Sequence, residues 1–397
     1  MTNKQSDDEQ QEWLSGITVF LIRECELAYL DTLLKLLDHY GFNVLCSVPI
    51  EGGQQQALAQ WVLDDGPEQG NFTSSGSPPV FLLVVQDVHP VPAKRMSSDS
   101  SGQVKNLRLP TIKAAFSATI SPKENKEEHP SPIHCSHDAD QALKYLKALM
   151  PEQVSKIREA ALSNDAAFRT PYPVLADLSK EVCRAKVELV DFHGTEAICK
   201  TFRPGRERYL EREVKARELG ASLPEVSRLL EVGTHYLVFE RYANCMERIL
   251  SPRAPFSHHG LLPIWAIERV RAVILHYRRL GYECIDLNPH DLIYDPCQGL
   301  KIIDFEFLQP GSDEIKTLKG NYVWYAVPPL FTGDLPPSAQ SSYRQCWFPY
   351  TGLPRTLCLS ELPRPLLAMV RSVALVPLTL DGLRRVSWRH IQRLVRN

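Results

Sequence analysis

Three of the six acids in GYECIDLNPHDLIYDPCQGLKIIDFEF, Gly281 to Phe307, stand out by their positions. Asp286 follows a helical stretch, Asp291 comes five positions later, and Asp304 ends a hydrophobic run of strand type. Carboxylate oxygens are hard donors of the kind that suits magnesium. Upstream, Lys200 lies in the strand-like segment EAICKTF, and Glu213 lies near the middle of RPGRERYLEREVKARELG, a charge-rich helix. Singly, such lysines and glutamates are ordinary solvated surface residues. The ordered series is not ordinary: strand lysine, helix glutamate, acid after a helix, second acid, acid closing a strand.

The elements that must hold these residues come in two groups. ITVFLI (Ile17 to Ile22), FNVLCSV and PPVFLLVVQ read as strands. Leu30, Leu33, Leu34, Leu36 and Leu37 share one face of a helix over Leu27 to Tyr40. Gln54 to Leu63 suits another helix, and His137 to Met150 an amphipathic one. The stretches DDGPEQGNFTSSGSPP, KRMSSDSSGQ and SPKENKEEHPSP are turn-rich, with little to bury. After a helical connector come paired strands AKVELVDF and EAICKTF, the helix from Arg206 to Leu219, and the strand YLVFERY. A long helix over Leu262 to Leu280 and a late hairpin of LIYD with LKIIDFEF complete a two-lobed α+β pattern.

With 397 residues, 44% hydrophobic and 23% charged, the composition predicts two or three globular domains. A net charge of -2 gives no bulk electrostatic case for nucleic acid. None of the 10 cysteines has C-x-x-C spacing, so a zinc ribbon or redox pair is not expected, and reduced thiols in a cytoplasmic protein are. The opening MTNKQSDDEQQEW is polar and acidic where a signal peptide is basic and then apolar. No run approaches the roughly 18 apolar residues of a spanning helix.

The chemical series resembles the protein-kinase-like superfamily, with its catalytic loop H-R-D-x-x-x-x-N and metal loop D-F-G. By that resemblance Asp286 matches the catalytic aspartate, Asp291 the metal-binding asparagine position and Asp304 the magnesium aspartate. Lys200 matches the lysine of the third strand, and Glu213 its helix partner. Glu218 lies about 1.4 turns further along and faces elsewhere. Phe239 and Glu240, in YLVFERY, fall where the hinge holds adenine. The implied cofactors are ATP and Mg2+, because phosphoryl transfer needs the phosphates held while a carboxylate orients the acceptor hydroxyl.

The departures narrow the resemblance. Gly194 alone stands where a glycine-rich loop would cover the phosphates. Ile285 replaces the loop arginine, Asn288 the usual lysine and Glu306 the glycine of D-F-G, and no A-P-E segment follows. The short form is more similar to the bacterial lipopolysaccharide-core and Kdo sugar kinases, over about Val187 to Phe307. The implied acceptor is a small-molecule or glycolipid hydroxyl. A catalytically inactive nucleotide-binding scaffold and an atypical Ser/Thr protein kinase are the alternatives.

The first group of elements also carries a resemblance. PSPIHCSHDADQALKYLKALMP is similar to the nucleoside diphosphate kinase segment N-x-x-H-G-S-D-S-x-E-S-A, with ITVFLI and Arg23 at the family's V-L-I-K-P. This implies a ferredoxin-like sandwich with His134 at the phosphohistidine position. Arg23 replaces lysine, Ser131 asparagine and Cys135 glycine, and Tyr145 stands where an acid orients the histidine, so a nucleotide-binding relic or interaction module is expected. The expected divisions are a tail over 1–15, the nucleoside-diphosphate-kinase-like domain over 16–153, a helical linker over 154–177 and the kinase-like domain over 178–397. At the end, NYVWYAVPPLFTGDLPP and SYRQCWFPYTG are expected to pad the catalytic lobe. Arg384, Arg385, Arg389, Arg393 and Arg396 give the tail a basic amphipathic character, suited to an anionic inner-membrane surface or to docking on the lobe.

Overall fold

The apolar run Ile17–Arg23 is buried along its whole length and forms strand β1. In this computed structural model it lies between β3 (Pro79–Gln86) and β4 (His134–Cys135), and β3 pairs onward with β2 (Asn43–Pro49). All pairings are antiparallel, in the order β2-β3-β1-β4. The structure describes residues 13–14, 16–52, 78–91, 106–120, 133–179, 182–251, 260–311, 317–325, 327–336, 342–360 and 362–373. The expected Gln54 to Leu63 helix, the three turn-rich stretches (almost entirely) and the basic tail lie outside them.

Alternation along β1 feeds two cores. Val19 and Leu21, with Leu82 and Val84, meet Ala142 and Leu146 of helix α3 (Ala139–Leu149). Phe20 and Ile22, with Leu83 and Val85, meet Leu33 and Leu37 of α1 (Leu30–His39), and Ile112 and Phe116 of α2 (Arg108–Ile120). The span 154–177 differs from the expected linker. Helix α4 (Val154–Ala167) sinks Ile157 and Ala161 into the first of these cores. Gln86 Nε2 donates to Ala161 O and to Asp165, and Val174–Asp177 is a strand, β5. Apolar positions on one face of α4 make it a covering layer.

The chain divides into two compact units. The first is Met1–Pro171 with Asp177–Glu188 and Thr201–Arg206; the second is Tyr172–Ala176 with Leu189–Lys200 and Glu207–Asn397. Within the first, Asp87 is fully buried and takes both Arg108 and Arg203. Asn106 Nδ2 at 2.8 Å and the His89 N–H at 3.0 Å complete its shell. Arg203 also donates to Val182 O and Gly41 O. Gly41 has φ +85°, and a Cβ there would stand 2.5 Å from Cys183 O, so no other residue fits.

The five-stranded sheet runs β5-β6-β7-β9-β8, with β6 Ala185–Phe192, β7 Thr195–Phe202, β8 Leu229–Val232 and β9 Tyr236–Glu240. His193 (φ 54°) and Gly194 (φ 83°) make the two-residue turn between β6 and β7, the left-handed pair of a type I′ hairpin. Helix α5 (Glu207–Leu219) follows β7. Helix α6 (Ile264–Arg279) buries Ala266, Ile267, Val270, Val273, Ile274 and Tyr277, a 3.6-residue stripe. Trp324 and Trp347 are buried in the same core, their rings 5.8 Å apart and edge to face. Two short antiparallel pairs finish this unit, β10 (Tyr282–Cys284) with β13 (Leu308–Pro310) and β11 (Leu292–Asp295) with β12 (Gly299–Ile302). No described helix is long and apolar enough to cross a membrane.

β10 is anchored by Glu283, which is buried against Arg278 at 2.8 Å and accepts the Tyr322 N–H at 3.1 Å. Burial lifts the Glu283 carboxyl to about 7, with Arg278 and the Tyr322 N–H opposing the rise. A raised acid binds its proton more tightly folded than unfolded. Its contribution to stability is therefore greatest at low pH, declines as pH rises from about 4.5 through about 7, and then levels. Urea midpoints measured across that window should show this fall, and Glu283→Gln should remove it.

Candidate active site

β7 sets the lysine. Ala197 and Cys199 are buried in a small cluster with Val190 and Val238, so by alternation Lys200 projects from the other face. α5 sets the glutamate: Leu210, Glu213, Ala216 and Arg217 are buried together at helical spacing. Glu218 pairs with Lys215 on the exposed side. Lys200 Nζ meets Glu213 Oε1 at 2.8 Å, Glu306 Oε2 at 3.0 Å and Asp304 Oδ1 at 3.2 Å.

The second oxygen of Glu213 is also held, by Arg217 and, at 3.1 Å, by the Phe305 N–H. Arg217 Nη2 donates to Ser227 Oγ at 2.9 Å and Ile303 O at 3.0 Å. Its guanidinium packs against the rings of Phe239 and Phe305, 4.7 and 5.0 Å from their centroids, a cation–π geometry.

Asp286 and Asp291 share one loop. Asn288 Oδ1 accepts the His290 N–H, and Asp291 Oδ2 accepts the Asn288 N–H, both at 2.9 Å. Asn288 Nδ2 donates to Asp286 O at 3.1 Å. Ile303 N donates to Asp291 O, tying this loop to the segment that carries Asp304.

Burial alone would lower the Lys200 ammonium, but the charges of Asp304, Glu213 and Glu306 lift it well above its usual range. Glu213 is raised by its complete burial, against Arg217 and Lys200. For Asp304, burial pushes upward but the Lys200 charge and the hydrogen bonds around it win, holding it at about 2. Asp291 is raised well above its usual range, by burial first and then by the charges of Asp304 and Asp286.

Among the described residues, Glu213, Asp304 and Glu306 form the close group of acids, their oxygens within 4.8 Å of one another. Glu306, in the glycine position, turns back toward Lys200, and Asp291 lies near enough to Asp304 for the charge of the one to act on the other. Asp286, Asp304 and Glu306 line one pocket with Ile285 and Phe307, of about 10 Å³, roughly one water molecule. The predicted hinge is partly committed: Glu240 N donates to Arg228 O, its side chain accepts from Gln298, and Phe239 lies under Arg217. Gly194 offers no open cradle, since its N–H donates to Asp191 at 2.7 Å.

In the first unit, His134 Nε2 lies 2.9 Å from Tyr145 Oη. Burial, with Lys113 and His137 adding to it, lowers this imidazole to about 3, so it is neutral near pH 7. Arg23 is engaged elsewhere, with both Glu26 oxygens. A cleft of about 630 Å³ in this unit, lined by Leu34, Lys35, Phe42, Asn164 and Arg206 among others, contains none of the expected site residues.

Glu306 was legible in the sequence as a missing glycine, not as a partner for Lys200. Arg217 was missed in the sequence; the signal that could have found it is its place one turn after Glu213, a spacing that brings side chains together. No family model matches this sequence, and none of the curated proteins matches it.

Proposed function

We propose that the second unit is an ATP- and Mg2+-dependent phosphotransferase acting on a sugar or glycolipid hydroxyl. The observation that carries this reading is the meeting of Lys200 with both Glu213 and Asp304, residues 13 and 104 positions away in the chain. Asp286 lines the same pocket as Asp304, which supports it further. The kinase-like resemblance of the motifs supplies the acceptor class. The strand order β2-β3-β1-β4 of the first unit is the order a ferredoxin-like, nucleoside-diphosphate-kinase-like sandwich has, and supports that half of the reading.

The donor set fits the cofactor. Asp304 and Asp291 offer hard oxygens for Mg2+, and the crowding that raises Asp291 is the kind a bound cation relieves. When bound, Mg-ATP supplies the transferable phosphoryl group. Lys200, fixed by Glu213, is the cation for its phosphate oxygens, and Asp286 orients the acceptor hydroxyl.

ATP with Mg2+ should raise the melting temperature more than either alone. Turnover of ATP with a panel of sugar acceptors should fall about a hundredfold or more in Asp286→Asn, with nucleotide binding kept. An Asp286→Asn protein that turns over ATP like the wild type would sink the assignment of that residue. A nucleotide-binding scaffold is the second reading, favoured by the closed type I′ turn at Gly194 and by Glu306 beside Lys200. It predicts Mg2+-dependent binding without transfer to any acceptor.

A further inference from the structure

We propose that Glu306 is a built-in competitor for the phosphate at Lys200, so that the site must expel a carboxylate before it takes a nucleotide. The inference rests on the reading of Lys200 as the phosphate cation. An ammonium has three N–H bonds and no more. Three carboxylates, from Glu213, Glu306 and Asp304, stand within 3.2 Å of Lys200 Nζ. A phosphate oxygen therefore reaches this nitrogen only where one of the three withdraws.

The surroundings identify which one. Glu213 is fully buried and its other oxygen is held by Arg217 and the Phe305 N–H. Asp304 is the expected cation ligand, and its side chain is 39% exposed. Glu306 stands where the kinase-like motif has a glycine, which has no side chain to compete. Its ion pair with Lys200 at 3.0 Å fills the place an incoming dianion needs.

Charge adds to the steric argument. Lys200 and Arg217 face Glu213, Asp304 and Glu306, Asp286 lines the same pocket, and a polyphosphate entering that negative surplus is repelled. Neutralising Glu306 lowers the surplus and frees a place on Lys200 for the ligand.

The test is isothermal titration of a non-hydrolysable ATP analogue, with excess Mg2+ and separately with EDTA, into wild type, Glu306→Gln and Glu306→Gly. Thermal melts of each protein check that it is folded. Both variants should bind about tenfold tighter than wild type under both conditions. Equal affinity in all three proteins overturns the inference and leaves the phosphotransferase reading standing. Weaker binding confined to the Mg2+ arm overturns it too, and makes Glu306 a metal ligand. Binding by none of the three overturns both the inference and the reading beneath it, whereas binding by the variants alone supports both.

Discussion

Asp304→Asn is expected to reduce ATP turnover by about a thousandfold while leaving the protein folded. The substitution keeps the shape of the side chain and removes its charge. Lys200 and the neighbouring hydrogen bonds favour that charge, holding the carboxyl below its usual range. Little of the fold depends on it. Lys200 retains Glu213 at 2.8 Å and Glu306 at 3.0 Å, and Asp304 itself is part exposed. Steady-state turnover beside a thermal melt separates the two effects. Turnover near the wild-type level would remove Asp304 from the chemistry; a collapsed melt would make its role structural. Raising Mg2+ should not restore the variant, because asparagine offers a neutral oxygen where phosphoryl transfer needs a charged one.

Asp87→Asn should act on stability instead, at a cost of about 3–5 kcal/mol. Asp87 is fully buried, and Arg203 and Arg108 are nearly so, at 0% and 9% exposure. One carboxylate neutralises part of two guanidinium charges, with backbone carbonyls of Gly41, His89 and Val182 taking the remaining N–H groups. Asparagine would leave both cations uncompensated and turn an amide N–H2 toward one of them. Breaking a buried pair from one side is far more costly than the pair is worth, since the orphaned charge cannot reach water. Urea unfolding followed by tryptophan fluorescence measures the loss. Arg108→Met in the same background should recover part of it, and an unshifted midpoint would mean that the cluster does not hold the unit together.

How much of this was legible in the sequence depended on how local the cause was. Strand β1 and helix α6 announce themselves because their own residues carry the burial pattern. The choice of Glu213 over Glu218 followed from helix periodicity alone, and the structure puts the first in the core and the second in solvent. Helix α2 was not legible, as RLPTIKAAFSATI mixes β-branched and small residues without a sustained stripe. Its burial comes from Ile112 and Phe116 meeting β1 and β3 across the sheet. β8 and β5 are four residues each, too short to show alternation. Helix α4 was legible as a helix, but its partner Gln86 lies 75 residues before Ala161, so its covering role was hidden. Within the site, the lysine, the glutamate and Asp304 could be placed from motif order. Glu306 turns toward Lys200, a residue 106 positions earlier in the chain, and no spacing rule carries that.

The two oxygens of Glu213 have a mechanical consequence. One grips the strand lysine; the other is clamped by Arg217 and by the main chain one residue past Asp304. Arg217 in turn fastens to Ser227 and to the carbonyl just before Asp304. Helix α5 and the acid-bearing segment are thereby riveted into a single block. Protein kinases that switch by swinging a helix away break a lysine–glutamate pair, and on the proposed reading α5 is the helix in that place. A displacement of α5 would have to shear every one of these fastenings at once. On the proposed phosphotransferase reading, control falls to what enters the cleft, with Glu306 beside Lys200 the first group to be displaced.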